Sequence, residues 1–285
     1  MELLENVFKL LKIRQYIKNL IIFLPAIFTH TIDHCSDLFE VIKVFAAFCL
    51  VSSAVYIFND LKDMHEDRKH PIKCNRPIAS GKISPVVGGI LFGILVLLAL
   101  FLGQYIESAC NICIWLYLIL NICYSFWLRD MKFVDVICIA FGFVLRLSSG
   151  FYALSLPVVG ELAVMIFVTS IFFTTSKRVL EQKFLPNIES RRHSMRYISS
   201  EFLYKVLYVS AGLSVICYYI ATKEFDVYIP QLHITTICFA AFIGRLLYLI
   251  KNTKDHDDPM NFIIGDTWIK IISGLSFMVL VTVYI

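Results

Sequence analysis

Residues 52–81 read SSAVYIFNDLKDMHEDRKHPIKCNRPIASG, and the character of the chain changes inside this stretch. An apolar run ends at Phe58, and the residues from Asn59 onward are dense in acids and bases. The apolar run covers 39–58, which is long enough to cross a bilayer, since a transmembrane helix takes roughly 20 mainly apolar residues. The stretch therefore predicts a membrane-spanning helix that ends at the interface and leads into a charged segment.

The composition extends this interpretation to the whole chain. Of the 285 residues, 58% are hydrophobic and 17% are charged, and the mean hydropathy is +0.74. A soluble domain has about 45–50% apolar and about 25% charged residues. We therefore predict an all-α, polytopic membrane protein of about nine transmembrane helices. The predicted spans lie near residues 16–30, 39–58, 84–103, 110–128, 134–154, 158–176, 202–221, 229–250 and 268–285.

No linker rich in Gly, Ser or Pro divides these spans, so we expect a single integral-membrane domain over residues 1–285. Residues 1–15 resemble an amphipathic helix that lies on the membrane surface before the first span. The two segments with the most charge, 59–83 and 177–205, are predicted to be loops that carry the catalytic residues.

The distribution of basic residues predicts the orientation in the membrane. Most of the 26 Lys and Arg residues lie in the N-terminal segment and in the loops after the even-numbered spans, whereas Lys43 and Lys223 lie on the other side. The positive-inside rule then places the N-terminus and the charged loops in the cytoplasm. We expect a protein of the inner (cytoplasmic) membrane with the bilayer, and no nucleic acid, as a partner. The sequence predicts no oligomeric state.

Three aspartates follow the second predicted span at a helical spacing. If the helix continues past the interface, Asp60, Asp63 and Asp67 stand at i, i+3 and i+7 and line one face. Carboxylate oxygens suit Mg²⁺, which typically binds one or two carboxylates together with phosphate oxygens and water, and Asn59 adds a neutral oxygen. The alternative is a solvated helix end whose acids pair with the nearby bases Lys62, Arg68 and Lys69.

The next residues supply bases on a stiffened segment. Arg68, His70, Lys73 and Arg76 are interrupted by two prolines, which prevent a continuous helix and restrict the backbone. Arginine binds phosphate with two parallel hydrogen bonds, and lysine binds it as a point charge. Acids suited to magnesium beside bases suited to phosphate predict a diphosphate site. His70 alone carries little weight, because a histidine in a loop is more often a turn residue.

The motif NDxxDxxxD at the end of the second span, followed by RPIASG, resembles the first motif of the UbiA superfamily of intramembrane prenyltransferases. The longer pattern DR-x-HP-x-K-x-x-RPIASG (67–81) is similar to the decaprenyl-phosphate phosphoribosyltransferase branch of that superfamily. The resemblance implies nine transmembrane helices around a central cavity. It also implies Mg²⁺ as the cofactor, phosphoribosyl diphosphate (PRPP) as the donor and a polyprenyl phosphate as the acceptor. The product would be a lipid-linked pentose donor for a cell-surface polysaccharide.

A second charged site lies at the end of the sixth predicted span. Superfamily members usually carry a second aspartate motif, DxxxD, at this point, whereas this chain has KRVLE with Lys177, Arg178 and Glu181. The phosphoribosyltransferase branch has the similar element KR-x-x-E, which implies that the two bases hold an additional phosphate and that Glu181 orients them or binds a ribose hydroxyl. The alternative interpretation is that these bases only flank the membrane.

Further matches to the branch lie along most of the chain. IRQYIKN (13–19) brings in Gln15 and Lys18, and YSFWLR (124–129) brings in Tyr124 and Arg129, all of which the resemblance implies as substrate-binding. Asp135 and GFVLRLSSG (142–150) match the fifth helix, and DDPMNFIIGD (257–266) resembles the loop before the last helix.

Arg146 is notable independently of the resemblance, because it lies well inside a predicted span. A charge at that depth is costly unless it is compensated, so we expect Arg146 to face inward and to meet a phosphate or a carboxylate. A purely structural ion pair is the alternative.

Two other functions remain open at this point. A prenyltransferase that moves an isoprenoid from a prenyl diphosphate to an aromatic or small polar acceptor would share the first motif, although KRVLE in place of DxxxD disfavours it. A transporter or lipid flippase would more naturally place its polar residues at the bilayer midplane on broken helices. In this chain, apart from Arg146, the polar residues cluster at one interface.

Overall fold

The structure is a computed structural model, and it is all helical where it is described. The described residues form helices, turns and connecting segments, with no β-strand among them. They are residues 2–29, 31, 35–69, 73–131, 133–184, 198–225, 232–253, 262–263 and 265–284.

Eleven α-helices follow one another along the described chain. They are α1 (Glu2–Leu11), α2 (Leu24–Phe28), α3 (Cys35–Lys62), α4 (Met64–Asp67), α5 (Pro85–Gly103), α6 (Ser108–Phe126), α7 (Val134–Ala153), α8 (Gly160–Phe184), α9 (Ser200–Glu224), α10 (Thr235–Asn252) and α11 (Thr267–Tyr284). A 3₁₀ segment, Ile13–Phe23, joins α1 to α2. Shorter 3₁₀ turns are Lys73–Asn75, Leu128–Asp130 and Leu232–Ile234.

Seven helices of the described chain are long and apolar enough to cross a membrane: α3, α5, α6, α7, α8, α9 and the stretch Leu232–Asn252 that contains α10. They coincide with seven of the predicted spans, which confirms the prediction of an all-α, multi-pass membrane protein. The first predicted span forms the 3₁₀ segment and the short α2 instead, and the last contains the shorter apolar helix Thr267–Val279. The count of nine spans stays a prediction.

The chain divides into two compact units. Unit 1 contains Met1–Ile27, Thr31–Phe126 and Leu145–Pro157, and unit 2 contains Phe28–His30, Trp127–Val144 and Val158–Ile285. The prediction of a single domain over residues 1–285 stays a prediction.

Helix α3 is the central element of unit 1. Its apolar side chains Val44, Phe48 and Val51 are buried, and they belong to one core cluster with Ile22 of the 3₁₀ segment and Ile114 of α6. Helix α5 differs, because most of its large apolar side chains are exposed, as hydrocarbon contact would require. The burial of α3 brings its C-terminal acids against other elements of the same unit.

The C-terminal half of α7 holds the 3₁₀ segment closely. A Cβ at Gly150 would collide with the carbonyl oxygen of Ile22, so only glycine allows this approach. One turn earlier, Nε of Arg146 donates a 2.7 Å hydrogen bond to Oδ1 of Asn19. These two contacts fix the segment that leads from α1 into unit 1.

In unit 2, helices α8, α9 and α10 share a second core. Phe172 and Val179 of α8, Leu203 and Leu207 of α9 and Leu246 of α10 are buried together. The polar residues Lys177, Arg178 and Glu181 belong to the last turns of α8, which runs to Phe184. The predicted catalytic loop 177–205 therefore begins with a helix, and its residues 185–197 lie outside the described part of the chain.

Candidate functional site

The three predicted aspartates stand where α3 gives way to α4. Asp63 separates the two helices with φ −87° and ψ 2°, so the helix is not continuous as the spacing argument assumed. The backbone N–H of Asp63 still donates to the carbonyl of Asn59 at 2.9 Å, and that of Asp67 donates to the carbonyl of Asp63 at 2.8 Å. These bonds keep a nearly helical spacing, and Asp60 and Asp67 remain close enough to share one partner.

That partner is Arg76, from the RPIASG segment. Its Nη1 lies 3.1 Å from Oδ1 of Asp60 and 2.7 Å from Oδ2 of Asp67. Both carboxylates are buried, with 1% and 4% of their side chains exposed, whereas 31% of the Arg76 side chain is exposed. The structure therefore brings together an acid and a base that the sequence predicted for metal and for phosphate.

Lys12 also contacts Asp60, and the sequence did not identify it as a site residue. Its Nζ lies 2.7 Å from Oδ1 of Asp60 and 5.0 Å from the centre of the Tyr56 ring. Burial lowers the pKa of Lys12, and the nearby Asp60 carboxylate partly opposes that effect. The only local sequence signal was its position directly before IRQYIKN.

The geometry fits a divalent cation that arrives with oxygen ligands of its own. Oδ2 of Asp60 is buried and has no hydrogen-bond partner among the described residues, which is a costly state for a polar atom. Within the described ranges no group of three His, Cys, Asp or Glu side chains is placed to hold a metal. Mg²⁺ commonly binds one or two carboxylates plus phosphate oxygens and water, so Asp60 and Asp67 suit it as such a pair.

The other predicted residues of the charged segment have separate positions. The amide oxygen of Asn59 accepts a short hydrogen bond from the Ser125 hydroxyl, next to Tyr124 on α6. Arg68 is exposed, and its Nε donates to the carbonyl of Ala79 at 3.1 Å, which ties it to the RPIASG turn. Lys73 is half-buried in a 3₁₀ turn. His70 lies outside the described residues.

Four further predicted substrate-binding residues are half-buried. Gln15 and Lys18 lie on the 3₁₀ segment, Tyr124 lies on α6, and Arg129 lies in the turn Leu128–Asp130. Their roles stay predictions.

Arg146 is buried, as predicted, and its described partners belong to neutral residues. Besides the bond to Asn19, its Nη2 donates to the hydroxyl of Tyr117 at 2.8 Å, and the guanidinium carbon lies 4.4 Å from the centre of the Tyr117 ring. These contacts join the 3₁₀ segment, α6 and α7 within unit 1. They support a structural role, and the predicted contact with a phosphate stays a prediction.

The second charged site is built around Arg178 in unit 2. Its Nε and Nη2 lie 3.1 Å and 2.9 Å from Oδ2 of Asp135, at the start of α7, and its Nη1 lies 2.8 Å from Oε2 of Glu181. Asp135 is fully buried and the Arg178 side chain is 2% exposed. Oδ1 of Asp135 is a second buried carboxylate oxygen without a hydrogen-bond partner in the described residues. Sequence matching noted Asp135 but did not predict its pairing with Arg178.

Comparison with known proteins agrees with these features. Residues 20–263 match the UbiA prenyltransferase family. The decaprenyl-phosphate phosphoribosyltransferase of Mycolicibacterium smegmatis is 28% identical over 221 residues, which cover 76% of this chain and 70% of that protein. The enzyme of the same name from Mycobacterium tuberculosis is 26% identical over 231 residues, or 79% of this chain and 76% of that protein.

A solved structure shows the same fold. The UbiA homolog from Archaeoglobus fulgidus bound to GPP and Mg²⁺ superposes with a TM-score of 0.73 over 98% of this chain and 99% of that chain, at 18% sequence identity. The family match covers most of the sequence, and the fold agrees with it over nearly the whole length. The chain is therefore a multi-pass membrane transferase that belongs to the UbiA prenyltransferase family.

Proposed function

We propose that the chain transfers the 5-phosphoribosyl group from PRPP to a polyprenyl phosphate and releases diphosphate. The observation that carries this proposal is the similarity of the chain to proteins named decaprenyl-phosphate phosphoribosyltransferase. For the mycolicibacterial protein, the similarity covers 76% of the chain. The charged sites of both units are consistent with it, because the reaction needs a site for a diphosphate and contacts for two further phosphates.

The donor diphosphate is assigned to the acids and bases of unit 1. Asp60 and Asp67 would hold Mg²⁺, with Asp63 and Asn59 as the remaining predicted ligands. When bound, Mg²⁺ would neutralise charge on the departing diphosphate. Arg76 has spare capacity for phosphate, because only Nη1 of its guanidinium is hydrogen-bonded within the described residues. Arg68 and Lys73 are the further predicted phosphate ligands.

The unit 2 site favours a phosphoribosyl donor over a prenyl donor. Arg178 offsets one of the two negative charges of its acid pair, Asp135 and Glu181, so the site offers a second cation one net negative charge instead of the two of a DxxxD motif. Because the Arg178 guanidinium is engaged by both carboxylates, we assign the remaining phosphate to the half-buried Lys177. Arg178 then orients Glu181, and Glu181 is assigned to a ribose hydroxyl.

The chemistry requires little proton transfer. The bond between C1 of the ribose and the diphosphate oxygen breaks, and the bond between C1 and an oxygen of the acceptor phosphate forms. The diphosphate leaves with the electron pair of the broken bond, while the ribose ring gains positive charge. The acceptor phosphate is already anionic, so positioning and electrostatic stabilisation account for most of the rate in this proposal. Attack from the opposite face inverts the configuration at C1.

The direct test is turnover by the purified protein with Mg²⁺, polyprenyl phosphate and labelled PRPP, with mass spectrometry of the lipid product. We expect a phosphoribosyl lipid from the wild type, and at least about a 100-fold lower rate from Asp60→Asn or Asp67→Asn. Glu201→Gln is the matched control, because Glu201 is exposed and its ion pair among the described residues is with the exposed Lys205 one turn away. A wild type that forms no phosphoribosyl lipid would refute the proposal.

Prenyl transfer is the alternative, and the A. fulgidus homolog bound to GPP and Mg²⁺ is the observation that favours it. The same assay with a prenyl diphosphate and an aromatic or small polar acceptor separates the two reactions. We expect no prenylated product. A prenylated product without a phosphoribosyl lipid would assign the chain to the alternative.

The cellular setting belongs to the same proposal. We assign the protein to the inner membrane, with the N-terminus and the charged segments on the cytoplasmic side, because that side supplies PRPP and because most of the basic residues lie there. The lipid-linked pentose would then serve a cell-surface polysaccharide. Cys35 is exposed, and the proposed orientation places it on the side opposite the cytoplasm. We therefore expect a thiol reagent to modify Cys35 from that side. Modification of Cys35 from the cytoplasm alone would overturn the orientation.

A further inference from the structure

The position of Lys12 depends on an unusual backbone. Lys12 lies between α1 and the 3₁₀ segment, and its φ of 52° and ψ of 45° place it in the left-handed region that residues other than glycine rarely adopt. The carbonyl of Leu11 accepts a 2.8 Å hydrogen bond from the Ser53 hydroxyl, which also contacts the Tyr16 hydroxyl at 2.8 Å. Neutral contacts thus tie the junction to α3 on either side of Lys12. The side chain of Lys12 is turned instead toward Tyr56 and Asp60.

Lys12 and Arg76 converge on the same oxygen of Asp60. Oδ1 accepts from Lys12 at 2.7 Å and from Arg76 at 3.1 Å, while Oδ2 has no partner among the described residues. Two bases therefore pair with the two buried carboxylates Asp60 and Asp67. This four-residue set has no net charge, and a free divalent cation would meet two fixed positive charges close to its ligands.

A cation that binds together with a diphosphate meets less electrostatic repulsion than a free cation does. The diphosphate supplies negative charge next to the two bases, and the remaining N–H groups of Arg76 can donate to it. Lys12 meanwhile keeps Oδ1 of Asp60 occupied and leaves Oδ2 as the oxygen for the cation. Because only 23% of the Lys12 side chain is exposed, its contact with Asp60 is poorly screened by water.

We propose that Lys12 is a positioning residue of the donor site, and that it makes the binding of a divalent cation depend on the diphosphate. The inference rests on the proposed function, since it uses the assignment of the diphosphate to unit 1. The inference goes beyond the proposed function in two ways. It assigns a role to Lys12, which lies outside the aspartate motif, and it predicts that the divalent cation binds together with the diphosphate and not before it.

The test is calorimetric titration of the detergent-solubilised protein with Mn²⁺, alone and with inorganic diphosphate, with the free metal concentration buffered. We expect the wild type to bind Mn²⁺ at least about tenfold more tightly with diphosphate than without it. Lys12→Gln should bind free Mn²⁺ about tenfold more tightly than the wild type, because one positive charge beside Asp60 is removed. Lys12→Arg should behave as the wild type.

Lys9→Gln is the matched control, since Lys9 is exposed and pairs with Glu5 one turn away in α1. It should leave both affinities unchanged. If Lys12 has only a structural role, Lys12→Gln should bind Mn²⁺ more weakly than the wild type both with and without diphosphate. That result would overturn the inference. Equal Mn²⁺ affinity of the wild type with and without diphosphate would overturn it too, and that measurement needs no variant to fold.

Failure of the proposed function gives a different pattern. If the wild type shows the diphosphate dependence, and Lys12→Gln loses it, but no phosphoribosyl lipid forms in the turnover assay, then Lys12 has the inferred role and the donor is a different diphosphate. If the lipid forms and the metal titrations show no dependence, the function stands and the role of Lys12 is refuted.

Discussion

The two units each contain an arginine between two carboxylates, but the two arrangements differ in how firmly the arginine is held. Arg76 bridges Asp60 and Asp67 through one nitrogen, lies on a segment next to Pro77, and is about one-third exposed (31%). Arg178 uses three nitrogens on Asp135 and Glu181 and is 2% exposed. The same charge pattern therefore occurs in two forms: Arg76 is partly exposed and, under the proposed function, is the arginine that would turn to a phosphate, whereas Arg178 is buried and held by both of its carboxylates.

The largest expected effect on stability comes from removing Arg178, the arginine that is held by two carboxylates in unit 2. Arg178→Met leaves the fully buried Asp135 without its cation, and the free energy of unfolding should fall by about 3–5 kcal/mol. Thermal unfolding in detergent, followed by tryptophan fluorescence, measures the loss. The double variant Arg178→Met/Asp135→Leu should recover most of it, because an apolar pair can replace a buried ion pair. Equal instability of the single and double variants would contradict the assigned pairing.

Arg76→Met should separate the two arrangements most clearly. We expect kcat/KM for PRPP to fall about 100-fold, since the variant loses the proposed diphosphate ligand and the link between Asp60 and Asp67. The free energy of unfolding should fall less than in Arg178→Met, because Lys12 still pairs with Asp60 and because the 31% exposed Arg76 is partly hydrated and so stabilises Asp67 less than a buried partner would. Kinetics and unfolding of the same preparation test this together. If Arg76→Met loses as much stability as Arg178→Met, the two arginines do not differ in how firmly they are held, and the comparison is wrong.

Lys177→Ala tests whether the base beside Arg178 contacts substrate. We expect KM for PRPP or for the polyprenyl phosphate to rise about tenfold, the effect of one lost phosphate contact, with an unchanged unfolding temperature. Lys205→Ala is the control, since Lys205 is largely exposed at 70%. If both variants match the wild type at low concentrations of both substrates, Lys177 only flanks the membrane.

The smallest effect concerns the ion pair between Arg245 and Asp266 in unit 2, outside the two charged sites. Arg245 donates to both oxygens of Asp266 at 3.1 Å and 2.7 Å, and this hydrogen bonding lowers the pKa of Asp266. A lowered pKa in the folded state adds stability above the unfolded pKa, and that stability is lost as the pH falls through the folded value.

Asp266→Asn should lower the unfolding temperature by about 1–2 °C near neutral pH, because the pair is accessible to water. The difference from the wild type should begin to shrink as the pH falls to about 4 and should disappear only below the lowered pKa of Asp266. Unfolding scans between pH 3 and pH 7 measure it, and a difference that grows as the pH falls would contradict the assignment.

Long apolar runs made the membrane spans predictable. Seven of them, α3 and the later spans through α10, have enough apolar length that no tertiary information is needed. The first predicted span was different, because Ile13–Phe23 adopts a 3₁₀ conformation, and α7 contacts this segment through Arg146 at Asn19 and Gly150 at Ile22. Hydropathy does not record such contacts.

The candidate site was predictable to the extent that its residues are neighbours in sequence. Helical spacing anticipated that Asp60 and Asp67 lie near each other, and RPIASG pointed to Arg76. Lys12 is 48 positions from Asp60, and Asp135 is 43 positions from Arg178. No local pattern links residues so far apart, so these pairings needed the folded chain. The interruption at Asp63 was also missed, since spacing alone assumes an unbroken helix.

The close approach at Gly150 has a consequence for biosynthesis. Asn19 emerges from the ribosome 127 residues before Arg146, its hydrogen-bond partner. At typical translation speeds of about 5–20 residues per second, this separation amounts to about 6–25 s. During that interval the 3₁₀ segment cannot make its contacts with α7. These contacts form only after the second half of α7, with Arg146 and Gly150, has been synthesised. A newly made chain therefore cannot complete unit 1 before more than half of the polypeptide has been synthesised.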